Sequence, residues 1–235
     1  VRSEEQPPHD SEPDAGQDLA ERVQRWVTIM LMAIMSAELL VALLGYQWFT
    51  AFLVSTIMAV IGAPLFFADR VPVKIPTEFQ VLAVVFIFGA LFLGEIRQFY
   101  ERVWWWDMAL HATSGLLLGI LGFMLVYVLN ENRRVDIYMR PRFVAIFAFV
   151  FAVSIGSIWE IFEFGMDEIF GLNMQKPMAG DASGLTDTMW DMILNTLGAL
   201  AMSLFGWRHM RRPGKSFMEA LISRLIERKP GLFRT

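Results

Sequence analysis

Cysteine is absent from the 235 residues, which removes disulfides, thiolate nucleophiles and sulfur-ligated metals from the available chemistry. Histidine is scarce, with three in the chain. Charged residues make up 19% and none cluster into a strongly basic domain, which argues against a nucleic-acid partner. The opening VRSEEQPPHDSEPDAGQD has neither the basic start nor the apolar run of a secretory signal. It is acidic and proline-containing and has too little apolar surface to bury, so residues 1–21 are expected to form a disordered acidic cytoplasmic tail. No His-Glu-x-x-His, Gly-x-Ser-x-Gly or phosphate-loop signature is present, so no familiar motif names a reaction.

Apolar sequence is what the chain has in excess. Hydrophobic residues make up 55% and the mean hydropathy is +0.46, beyond an ordinary soluble domain. A bilayer core needs about 20 mainly apolar residues per helix. Six segments qualify: Trp26–Gly45, Trp48–Ala68, Phe79–Gly94 with an extension to Tyr100, Met108–Leu129, Phe143–Gly165 and Thr188–Trp207. The expected fold is therefore all-α, a polytopic membrane bundle of six transmembrane helices over residues 22–212. Residues 213–235 would form a basic amphipathic C-terminal segment, lying on the membrane surface or docked on the bundle.

The distribution of Lys and Arg sets the expected direction. Arg22, Arg25, Arg70, Lys74, Arg133, Arg134, Arg140, Arg142, Arg208, Arg211, Arg212 and Lys215 fall on the side of the N-terminus. Arg97, Arg102 and Lys176 fall on the other. Both termini are thus expected in the cytoplasm. Trp26, Trp48, Trp104–Trp106, Trp190 and Trp207 mark span ends, where amphipathic rings prefer the interface.

The polar residues of the last three spans gather toward the outer side. Asp107 and His111 are four apart; Glu160, Glu163 and Asp167 follow at three and seven; Asp187, Asp191 and Asn195 at four and eight. Residues three or four apart share a helix face. An intramembrane charge costs at least about 2.5 kcal/mol, so such stripes turn inward. With Glu95 there are seven carboxylates, faced by Arg97, Arg102 and His111. Crowded carboxylates repel or take up protons unless a cation joins them. Carboxylates plus imidazole without sulfur suit a divalent metal such as Mg, Mn, Ca or Zn.

In this reading His111, Glu160, Glu163 and Asp191 are the metal ligands. Asp107 orients His111 or, like Glu95, acts as general base. Ser114, Asn195, Asp187 and Asp167 are ligand-binding candidates, although Asp167 also fits a solvated span end and Asp187 a helix cap. Gly115, Gly119 and Gly122 suit close packing against a neighbouring helix. The long Met166–Asp187 connection is a candidate binding loop or cap through Asn173, Gln175, Lys176 and Asp181.

The segments LGEIRQFYERVWWWDMALHATSGLLLGILGF, GSIWEIFEFGMDEIFGLNMQ and GLTDTMWDMILNTLGAL, in that order, resemble the YjdF-type bacterial inner-membrane proteins, a domain of unknown function. Asp191-x3-Asn195-x2-Gly198 is similar to the last helix of VanZ-like membrane proteins. The resemblance implies a polytopic helical bundle and supplies no reaction.

Three functions compete. A metal-assisted hydrolase or transferase would act on a lipid or envelope substrate. A cation- or proton-coupled small-solute transporter would need a polar path inward, which the nearly uncharged Leu116–Leu129 and Phe143–Ser154 do not supply. A membrane scaffold or sensor would use the acidic tail and the C-terminal segment as contacts.

Overall fold

The computed structural model describes residues 15–67, 76–131, 140–176, 178 and 180–211. The acidic residues 1–14 and the C-terminal segment expected to be amphipathic lie outside them. The described chain is all-helical: α1 Ala15–Leu44, α2 Trp48–Phe67, α3 Thr77–Ile96, the single turn α4 Phe99–Arg102, α5 Trp106–Glu131, α6 Pro141–Phe170 and α7 Leu185–Met210. Five helices are long and apolar enough to cross a membrane: α1 from Leu19, α3, α5 to Val126, α6 and α7. The sixth expected span, α2, is an apolar helix of 20 residues and is not among these five. Helix α1 already starts at Ala15, so residues 15–21 of the expected disordered tail are helical here.

Local sequence explains the helix ends. Pro141 opens α6, where its missing N–H is not needed and its fixed φ is already helical. Gly171 closes α6 at φ 64, the left-handed cap that glycine adopts without strain. Helix α3 does not run on to Tyr100. Its last nine residues, Phe88–Ile96, are π-helical, and the chain then turns at Arg97 and Gln98, with Gln98 left-handed at φ 57.

Two groups of helices result. Helices α1, α2 and α3 enclose an apolar core with Met35, Val54, Ile61 and Phe92 at its centre. Across that group Arg97 pairs with Glu38 at 3.0 Å. Helices α5, α6 and α7 form the second group, with Phe123, Ala148 and Met202 between them. Within lipid, helices gain nothing from hiding apolar surface, so close packing and interhelical hydrogen bonds hold them. The glycines expected to allow this do so. A Cβ on Gly115 would run into the Asn195 carbonyl, and one on Gly198 into the Ala112 carbonyl. Gly119 meets Met202, and Gly122 meets Ala148.

A candidate metal centre between α5, α6 and α7

The WWWDMALH stretch places the site. Trp104 and Trp105 stay exposed, whereas the Trp106 indole turns in and donates to the Gly89 carbonyl of α3 at 3.2 Å. Phe99 packs edge-on to Trp106, with ring centroids 5.0 Å apart. This anchors the start of α5, and Asp107 and His111 follow on one face of its first two turns.

The imidazole of His111 is ringed by carboxylates from three helices. Its Nε2 lies 3.4 Å from Asp107 Oδ1 on α5 and 3.9 Å from Asp191 Oδ2 on α7. Its Nδ1 lies 3.5 Å from Glu160 Oε1 on α6. Asp191 is 0% exposed, Glu160 4% and His111 9%. Neither oxygen of Glu160 nor of Asp191 has a hydrogen-bond partner among the described residues. A buried carboxylate without hydrogen bonds is expensive, so Glu160 and Asp191, each with one oxygen beside the ring, mark a place for a further polar group.

The donor set fits a divalent cation. One ligand atom each from Asp107, His111 and Asp191 come within 4.8 Å of one another. Metal–ligand bonds of about 2.1 Å put neighbouring ligand atoms roughly 3.0–3.4 Å apart. The Asp107 contact with Nε2, at 3.4 Å, is at that spacing, and the Asp191 contact, at 3.9 Å, lies just beyond it. Asp107 and Asp191 lie on the Nε2 side of the ring, whereas Glu160 faces Nδ1.

Below the ring the site has a floor. Asn195 accepts from the Ser114 hydroxyl at 3.2 Å and donates to the Ala152 carbonyl at 3.3 Å, joining α7 to α5 and α6. Gly156 leaves the space its side-chain amide occupies. Ser114 also contacts the His111 carbonyl at 2.8 Å, so its hydroxyl is engaged by the helix frame.

The other expected site residues are outside the group of converging ligand atoms. Glu163 lies one turn from Glu160, half-buried, and accepts the Trp159 indole at 2.9 Å. Glu95, at the end of the π-helical stretch, is exposed and outside the ligand group. Asp167 accepts the backbone N–H groups of Met174 and Gln175 at 2.7 and 2.9 Å. Asp187 accepts that of Lys176 at 2.7 Å. These two carboxylates latch the α6–α7 loop at both ends, and Gln175 adds a bond to the Thr188 hydroxyl at 2.7 Å.

Tyr100 was not singled out from the sequence. The turn at Gln98 swings its ring over Gly94, where any Cβ would overlap it. Burial first, then Asp107, Glu95, Glu163 and Asp191, hold its hydroxyl above the usual range, so it stays a neutral donor. The only sequence hint was the pairing of a small residue, Gly94, with an aromatic six positions on.

The fold and the buried acid–histidine cluster define a helical membrane protein with ionisable groups held inside the bundle. Residues 25–212 match the family model described as "Predicted membrane protein (DUF2238)", and the chain belongs to that family. An uncharacterized protein of Thermotoga maritima is 26% identical over 190 residues, covering 77% of this chain and 92% of the relative. No solved structure matches the chain.

Proposed function

We propose that this protein is a metal-dependent membrane enzyme, a hydrolase or transferase acting on a lipid or envelope substrate. Its centre is a divalent cation held by Asp107, His111 and Asp191, with Glu160 orienting the imidazole. The observation that supports this best is the pair of buried carboxylates, Glu160 and Asp191, which flank His111 at 3.5 and 3.9 Å. A divalent cation there would polarise a phosphoryl or carbonyl oxygen or lower the pKa of a water. With Asp107 drawn into the ligand set, Glu163 is the carboxylate left beside the centre to take a proton.

Close helix packing on the inner side of the cluster supports an enzyme over a carrier. Beneath Asn195 the three helices touch at Gly198–Ala112, Gly119–Met202 and Gly122–Ala148, which leaves little room for a path inward. We place the cluster toward the outer face of a bacterial cytoplasmic membrane, the membrane from the family resemblance and the direction from the Lys and Arg distribution, with α2 as a sixth span and both termini cytoplasmic. The test is a hydrolase screen of the protein in proteoliposomes against phosphoester and acyl-ester lipids, with and without Mn²⁺ or Zn²⁺. Activity is expected to require the cation and to vanish in Asp191→Asn. Activity unchanged in Asp191→Asn would overturn the proposal.

A further inference from the structure

We propose that Lys176 and Tyr100 form a phosphate-binding subsite on the outer face of this centre, serving the head group of a membrane lipid. The proposal rests on the metal reading, because an anion approaches a carboxylate cluster only when a cation offsets it.

Lys176 is held by its own backbone, whose N–H donates to Asp187 one turn before Asp191. Its ammonium donates to the Asn173 carbonyl at 2.5 Å and lies 5.5 Å from the centroid of the Tyr100 ring. Among the described residues no carboxylate is within ion-pair distance of it. Beside so acidic a site, a lysine resting on a carbonyl and a ring face keeps its charge available for an anion from outside. Lysine serves phosphate as a compact point charge, and the Tyr100 hydroxyl adds a neutral donor.

The depth of the site identifies the source of the phosphate. Its three helices each carry a tryptophan next to a site carboxylate: Trp106 before Asp107, Trp159 before Glu160, Trp190 before Asp191. Trp159 and Trp190 are about half exposed, and Trp104 and Trp105 open outward beside Trp106. Tryptophans exposed on membrane helices settle at the head-group level. The candidate metal centre therefore lies where lipid phosphates lie, with Lys176 on the loop above it.

The test is calorimetric titration of the Mn²⁺-loaded full chain in detergent with short-chain phosphatidic acid and, separately, with inorganic phosphate. Parent, Lys176→Ala, Lys176→Arg and Tyr100→Phe are compared, and bound Mn²⁺ is measured in the same samples. Phosphatidic acid is expected to bind the parent and to bind Lys176→Ala at least tenfold more weakly at unchanged metal content. Lys176→Arg should retain most of the affinity, and Tyr100→Phe should lose a smaller part. Equal binding by parent and Lys176→Ala, with metal present in both, would overturn this proposal alone. Lys176-dependent binding of inorganic phosphate without binding of phosphatidic acid would overturn the lipid source. A parent that takes up no Mn²⁺ would overturn the metal reading, and this proposal with it.

Discussion

Glu160 and His111 meet across two helices, Oε1 to Nδ1 at 3.5 Å, and this contact turns the other ring nitrogen toward Asp107 and Asp191. Under the proposed metal centre the two buried carboxylates have different duties. Glu160→Gln should keep the metal but bind it about 10–100-fold more weakly, the usual cost of losing a group that orients a ligand. Asp191→Asn should lose it altogether. Competition against a graded set of chelators checks both. Equal losses in the two variants would place Glu160 among the ligands instead.

Helix packing beneath the site gives a second expectation. Gly198→Ala puts a methyl into the Ala112 carbonyl, a backbone atom that cannot swing aside. Overpacking of this kind costs about 1–3 kcal/mol. Gly165→Ala is the control, since nothing lies within 4 Å of its Cβ position on α6. That change should be neutral or stabilise by up to about 1 kcal/mol, through the better helix propensity of alanine. Thermal unfolding in detergent should separate the two variants clearly.

The α6–α7 loop should resist mild acid. Asp181 accepts from the backbone and hydroxyl groups of both Ser183 and Thr186, at 2.7 to 3.1 Å. Those bonds hold its carboxyl below the ordinary aspartate range. A depressed folded value means that the contribution is complete above the unfolded value, about 3.9, and fades only as pH falls below it. Amide exchange at Ser183 and Thr186, corrected for intrinsic rates, should therefore show constant protection from neutral pH to about pH 5. Asp181→Asn should lower that protection at every pH in the range.

The absence of cysteine makes topology easy to test, because any introduced thiol is unique. With α2 crossing the membrane, Gln47→Cys and Val103→Cys should react with the same membrane-impermeant maleimide from the same side. If α2 does not cross, α3 alone separates them and they should label from opposite sides. The second pattern would leave five spans and put the two termini on opposite sides of the membrane.

Much of the bundle was legible because the bilayer imposes length. Helices α5, α6 and α7 each contain the apolar run that marked them, and the Gly115–Gly122 stripe packs as its small residues required. The convergence of His111 and Asp191 was legible from stripes at helical spacing. Which carboxylate faces which ring nitrogen was not, since it depends on how α6 and α7 are rotated about their own axes. The sequence also could not separate a free carboxylate from one satisfied by its own loop. Asp167 and Asp187 look like Glu160 in the stripe, yet their oxygens are taken by backbone amides 7 to 11 residues away. Tyr100 reaches the site only through the π-helical end of α3 and the turn at Gln98, a backbone event that no apolar pattern encodes.

The most direct measurement is divalent-metal content by elemental mass spectrometry on detergent-purified parent, His111→Ala, Asp191→Asn and Glu95→Gln. Close to one divalent ion per chain is expected in the parent and in Glu95→Gln, with loss in His111→Ala and Asp191→Asn. A metal-free parent, or the same metal content in all four folded proteins, would contradict a metal centre at His111.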